Sequence, residues 1–165
     1  MRIALGCDHR GFPYKLELIR ALAEDGHEVV DLGAHSTDPV DYPDCARLVG
    51  VAVRDRLVEA GILICGSGAG VSIAANKIRG VRAALCHDPF TARQSREDDD
   101  ANVLCLGTAV VSLESAIALA RTFLAARFSH VERHARRLAK VLALEASDPP
   151  PLDPRLFDES VSRKP

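Results

Sequence analysis

No stretch of this chain is basic enough to form a stripe: its 21 Lys and Arg are outnumbered by 23 Asp and Glu, for a net charge of −2. A dedicated nucleic-acid binder needs clustered cations for its phosphate contacts, so the composition argues against that class. No apolar run approaches the length that spans a bilayer, which argues against a membrane protein. The opening "MRIALGCDHRG" turns polar too soon for a secretory signal, so a leaderless, cytoplasmic chain is expected. None of the five cysteines (Cys7, Cys45, Cys65, Cys86, Cys105) forms a C-x-x-C pair, which removes support for zinc and thioredoxin-like readings. Their odd number fits a reducing compartment. Four of the five close apolar runs, the usual place of a small buried thiol. Internal repeats are absent.

What is present is a chain of 165 residues, 47% hydrophobic, enough for one domain with a real core. Short β-like runs alternate with helical periods. "RIAL" (2–5) reads as a strand. "GFPYKLELIRALAEDG" follows as a helix with Phe12, Leu16, Ile19, Leu22 and Ala23 on one face, Pro13 in its first turn and Gly26 as its stop. "HEVVDLG" reads as a strand, 43–59 as a helix, and "GILIC" as a strand apolar throughout, as a parallel strand covered on both faces would be. "GVSIAANK" begins a short helix, "VRAALC" a strand, 89–97 another helix and "NVLCLG" a strand. A helix over 112–126 places Leu113, Ala116, Ile117, Ala120, Phe123 and Leu124 on one face behind Ser112 as N-cap. A last helix covers roughly 130–146. The alternation predicts an α/β fold, a doubly wound parallel sheet of about five strands with helices on both faces and ligands beyond the strand C-termini. Residues 1–146 form the predicted domain, and the Pro-rich 147–165 a tail.

Chemistry concentrates in "ILICGSGAGVSIAANK" (62–77). Gly66, Gly68 and Gly70 permit tight turning and close approach to a ligand. The helix behind them aims free N–H groups at the same place, where an anion or oxyanion is stabilised. Val71 breaks both the dinucleotide fingerprint and the cysteine-phosphatase pattern, and a P-loop's Gly-Lys-Ser/Thr ending is missing. A thiol base beside an oxyanion-binding loop remains, against the alternative that Cys65 is a core residue.

Other polar groups gather at predicted strand ends. Asp8 and His9 in "GCDHRG" follow the first strand, although Asp8 also suits a helix cap. Asp41 and Tyr42 follow the second, although Tyr42 also suits packing. Arg133 and Arg137, four apart on one helix face, suit either a phosphate clamp or a solvated basic face. Glu97, Asp98, Asp99 and Asp100 repel one another unless solvated or bound to a hard cation.

Taken together, "GCDHRG", "DYPD", "ILICGSGAGVSIAANK", "RAALCHDPFTARQSR", "NVLCLG" and "ERHARR" resemble the type B ribose-5-phosphate isomerases and their galactose-6-phosphate isomerase relatives, in family order over about 1–145. The resemblance implies a Rossmann-like three-layer α/β/α sandwich that forms a homodimer or a dimer of dimers, with active sites shared between subunits. It implies a cofactor-free and metal-free aldose–ketose isomerisation of a sugar phosphate through an enediolate. On this pattern Cys65 is the base and Ser67 moves protons between O1 and O2. The loop from Gly66 through Gly68 and Ala69 to Gly70 binds the oxyanion. Asp8 and Tyr42 contact substrate, and His9, Arg133 and Arg137 hold phosphate. Some relatives use a glutamate a few residues on; Ser72 and Ile73 stand in that region here.

The chain departs from the pattern at three points. Asp98 and Asp99 stand where the pentose-phosphate enzymes have a His-Asn pair for ring opening and oxygen binding. Ala109 stands in place of a third phosphate-binding arginine. Either Asp98 replaces the histidine as a proton acceptor, or the substrate is a tetrose 4-phosphate, which cannot close a furanose. A non-catalytic sugar-phosphate-binding protein is the alternative from another class. The expected substrate is ribose 5-phosphate and ribulose 5-phosphate.

Overall fold

The computed structural model describes residues 1–147, so the tail expected beyond the domain lies, Ser147 apart, outside the described residues. The elements run β1 (Arg2–Cys7), α1 (Phe12–Glu24), β2 (Glu28–Asp31), α2 (Tyr42–Arg54), β3 (Ala60–Cys65), α3 (Ala69–Ala75), β4 (Ala83–Leu85), α4 (Pro89–Asp99), β5 (Val103–Gly107), α5 (Leu113–Ala125) and α6 (Glu132–Ala146). All strand pairs are parallel, in the order β2-β1-β3-β5-β4. Among the described residues no helix is long and apolar enough to cross a membrane.

The expected three-layer sandwich follows from how β3 is built. Every residue of this strand is buried. Ile62 and Ile64 join one core with Leu18 and Leu22 of α1 and Phe123 of α5; Leu63 and Cys65 join another with Val49 and Val53 of α2 and Val71 of α3. The two-residue period sends alternate side chains to opposite layers. A full burial of each such aliphatic side chain contributes roughly 1.5–3 kcal/mol. The strand is therefore locked in register, because a one-residue slip would exchange both sets.

Two expectations on the helices are corrected. In α1, Leu16 is 53% exposed and Ala23 is also exposed, while Lys15 is 1% exposed. Lys15 Nζ donates to both oxygens of Asp31 on β2 (2.7 and 2.9 Å) and lies 5.3 Å from the centre of the Phe12 ring. A buried ammonium needs its carboxylate, and that demand sets the rotation of the helix. In α2, the helix expected to reach 59 stops at Arg54. Arg56 adopts a left-handed conformation (φ 57°), because the chain must turn before Ala60 pairs with Ile3. The Ser112 cap holds as expected: its side chain accepts the Ser115 N–H at 3.1 Å.

The topology reverses between β1 and β3. From β1 the chain crosses by α1 to β2 on one side; from β3 it crosses by α3 to β4 on the other. The two connections leave a crevice at the C-terminal ends of β1 and β3, the usual ligand position in such sheets. Asp8 and the glycine loop both open onto it.

Candidate active site

Cys65 is the last residue of β3, in register with Gly107 at the end of β5. It is 4% exposed, and its Sγ accepts the N–H of Gly68 at 3.1 Å. The loop thus folds back over the sulfur. That fold requires Gly68 in a left-handed conformation (φ +80°) and no side chain at Gly107, where a Cβ would overlap the Ser67 backbone. From the β5 side, the Thr108 and Ala109 N–H groups donate to the carbonyls of Cys65 (3.0 Å) and Gly66 (2.9 Å). Ser67 is exposed, its Oγ accepting from the Ala69 N–H at 3.3 Å, and α3 starts at Ala69. The result is a rigid strand–loop–helix corner with a thiol beneath and a hydroxyl on top.

The other four cysteines are free and buried. Burial pushes the Cys7 thiol up to about 12 and the Cys86 thiol up to about 11, and raises those of Cys45 and Cys105. Withdrawal from water disfavours the thiolate, so these four are packing groups at neutral pH.

Three further expected residues converge on this corner. Asp8, 6% exposed, follows β1, and its Oδ1 accepts the N–H groups of Arg10 (2.9 Å) and Gly11 (3.0 Å). It thereby shapes the turn into α1, and Oδ2 accepts no hydrogen bond from the described residues. His9 Nδ1 is 3.3 Å from both N and O of Val40, which ties the β1 turn to the loop ahead of α2. Tyr42, the first residue of α2 and 41% exposed, lays its ring on Gly70: a Cβ built there would be 3.0 Å from Cε2 and Cζ.

Asp98, Asp99, Arg133 and Arg137 lie elsewhere. A helix that follows a parallel strand runs back antiparallel to it, so the C-terminus of α4 lies at the sheet edge opposite Cys65. There Asp100 pairs with Arg82, just before β4, at 2.7 Å. Asp98 Oδ2 accepts from Gln94, and Oδ1 faces His134 Nδ1 at 3.3 Å. His134 is 4% exposed, with Ser129 Oγ 2.8 Å from Nδ1, and its Nε2 accepts from Arg133 Nε at 2.9 Å. An imidazole that accepts at Nε2 carries its proton on Nδ1. The chain of contacts Asp98–His134–Arg133 therefore fixes the arginine. Asp99 and Arg137 line a cavity of about 530 Å³ beneath α6, with Asn76 and Arg82. The acidic run thus disperses to Arg93, Gln94, His134 and Arg82. Among the described residues no three metal-ligating side chains gather.

The family model described as Ribose/Galactose Isomerase matches residues 3–141. The chain belongs to the ribose/galactose isomerase family. It is 45% identical over 144 residues to ribose-5-phosphate isomerase B of Escherichia coli, covering 87% of this chain and 96% of that one. The type B ribose 5-phosphate isomerase structure from Trypanosoma cruzi superposes with a TM-score of 0.86 at 46% identity, covering 88% and 99%. Ribose-5-phosphate isomerase B of Mycoplasma genitalium, solved with bound ribulose-5-phosphate, superposes with a TM-score of 0.84 at 40% identity, covering 88% and 97%.

In this member of the ribose/galactose isomerase family the structure also brings to these places residues that the sequence reasoning passed over. Arg10 lies over Gly66, and His134 joins Asp98 to Arg133. The available signal for Arg10 was its place directly after β1, at the ligand edge. His134 carried no such signal, since a histidine inside a basic helix reads as surface.

Proposed function

We propose that this family member interconverts ribose 5-phosphate and ribulose 5-phosphate, with Cys65 as the base. The observation that carries the reading is the Gly68 N–H directed at Cys65 Sγ beneath a glycine loop, at the reversal point of the sheet. It agrees with the activity named for the relatives in Escherichia coli and Trypanosoma cruzi.

In the proposed route the Cys65 thiolate takes the C2 proton of the open-chain aldose. The electron pair forms the C1–C2 double bond, and negative charge moves to O1. The loop amides from Gly66 to Gly70 hold that charge, with the Gly68 N–H shared with Cys65 Sγ and the Ala69 N–H shared with Ser67 Oγ, and a single such donor is worth about 3 kcal/mol or more in other enzymes. The thiol returns its proton to C1, and Ser67 carries a proton from O2 to O1. Asp8 and Tyr42 hold the sugar hydroxyls. The route uses neither metal nor cofactor. The five free thiols support a reducing compartment, the cytoplasm, as its place of action.

His9 supplies a phosphate contact from this chain, and Arg133 and Arg137 supply theirs from a second copy. Two observations support a homodimer, alone or paired as a dimer of dimers. The arginines stand at the opposite sheet edge from their own Cys65, and the C-terminal edge carries an exposed apolar rim with Ile73 (63%), Phe90 (65%) and Val110 (54%). A second copy over that rim buries it and brings α6 to the loop. Sedimentation should show a dimer or larger, and a fully active monomer contradicts this arrangement.

Asp98 supports a second reading of the substrate. Both of its oxygens are engaged, by His134 and Gln94, rather than available to open a ring. A tetrose phosphate of the erythrulose 4-phosphate type needs no ring opening. Comparing kcat/KM on ribose 5-phosphate with that on a tetrose 4-phosphate decides between them. Exchange of the C2 proton with solvent, read by NMR, is expected with the true substrate. Binding without exchange would make the protein a sugar-phosphate receptor instead.

A further inference from the structure

Arg10 is held in place at its backbone and unused at its head. Its N–H donates to Asp8 Oδ1 at 2.9 Å, and its carbonyl accepts from Thr108 Oγ1 at 3.3 Å, so its Cα is fixed between the ends of β1 and β5. From there the side chain reaches across the catalytic corner. A Cβ built on Gly66 would lie 2.9 Å from Arg10 Nε and 3.1 Å from Cδ and Cζ, so the guanidinium rests directly against the loop backbone. The Gly66 carbonyl is the one that accepts from Ala109, which puts Arg10 beside the turn after β5.

Three side chains meet the loop in this way: Tyr42 over Gly70, Leu85 over Gly68 and Arg10 over Gly66. Only Arg10 carries a charge. Among the described residues it has no ion pair, and none of its guanidinium N–H groups has a hydrogen-bond acceptor. A planar fork of donors with no acceptor, on the rim of a site for a dianionic substrate, matches the geometry of a phosphate oxygen pair. We propose that Arg10 is a substrate-phosphate ligand, supplied by the same subunit as Cys65. The inference rests on the sugar-phosphate reading above. It adds a cation that needs no second copy to reach the loop, unlike Arg133 and Arg137.

The test compares wild type, Arg10→Ala and Arg10→Lys in the full-length protein, with circular dichroism and thermal unfolding as the fold control. On ribose 5-phosphate, Arg10→Ala should raise KM about 10- to 100-fold while kcat changes less than threefold, and Arg10→Lys should recover part of the loss. The Ki of inorganic phosphate as a competitive inhibitor should rise in parallel. The loss on ribose 5-phosphate should exceed the loss on unphosphorylated ribose by at least tenfold. A KM and phosphate Ki within twofold of wild type overturn the proposal. So does a fall in kcat at constant KM, which would make Arg10 a support for the base. Titrating inorganic phosphate by calorimetry reads Arg10 without turnover. If wild type turns over no sugar phosphate yet loses phosphate affinity on Arg10→Ala, the isomerase reading fails and this one stands. If wild type isomerises and the variant binds phosphate equally well, this inference alone fails.

Discussion

Replacing Gly68 by alanine separates backbone strain from damage to the proposed catalytic corner, because a second glycine offers a control with the same backbone conformation. Gly68 has φ +80° and Gly26, after α1, has φ +82°. Either alanine pays roughly 1–2 kcal/mol for entering left-handed space. At Gly26 nothing lies within 4 Å of the new Cβ, so the cost ends there. At Gly68 the methyl meets the Leu106 carbonyl carbon at 2.9 Å and its oxygen at 3.1 Å, with the Leu85 side chain nearer still. Leu106 lies in β5, hydrogen-bonded between β3 and β4, and cannot yield. Overpacking of this kind adds about 1–3 kcal/mol, for a total near 2–5 kcal/mol at Gly68. The backbone that moves is the one whose N–H meets Cys65 Sγ. A displacement on the order of 1 Å at such a site costs about 100-fold in rate. Urea unfolding with the slope checked for constancy gives the stabilities, and steady-state kinetics on ribose 5-phosphate gives kcat/KM. Gly26→Ala should keep near-normal kcat/KM and lose about 1–2 kcal/mol. Equal stability losses for the two variants, with Gly68→Ala fully active, would refute the geometry on which the proposed mechanism rests.

Cys65→Ala should lower kcat by about 100- to 10,000-fold with an unchanged circular dichroism spectrum, and near-normal turnover removes Cys65 as the base. Asp98→Ala should raise KM for ribose 5-phosphate several-fold through the loosening of His134 and Arg133, with kcat little changed. A collapse of kcat on ribose 5-phosphate but not on a tetrose 4-phosphate would instead assign ring opening to Asp98. Stability should fall in alkali: burial raises the Cys7 thiol from 9.0 to about 12, so its contribution is intact below pH 9 and is lost as pH rises from 9 to 12. The gap in Tm between wild type and Cys7→Ala should narrow between pH 8 and pH 11, and a constant gap counts against this linkage.

Most of the fold could be read from local patterns. The fully apolar "GILIC" marked a strand covered on both faces, and the Ser112 cap marked the start of α5. These signals sit within a few residues of what they determine. Position at the ligand edge was legible for the same reason. Once β1 and β3 are assigned, Asp8, His9 and the 66–70 loop fall at strand C-termini whatever the rest of the chain does.

The rotation of α1 was not legible, because it depends on an ion pair between Lys15 and Asp31, sixteen positions away on a different element. Hydrophobic periodicity counts Leu16 as core and has no means of burying a lysine. The direction of Asp98 and the placement of Arg10 were hidden for a related reason. Each is decided by contacts between elements far apart in the chain, with His134 and with Gly66, rather than by neighbours in sequence. By itself the sequence determined which residue types the protein offers for the proposed proton transfer and phosphate binding, and at which ends of which elements they stand. The tertiary structure alone decided which of them meet in one chain. Helices return antiparallel to their strands, so Cys65, Asp8, Tyr42 and Arg10 share one edge of the sheet while Asp98, Asp99, Arg133 and Arg137 gather at the other.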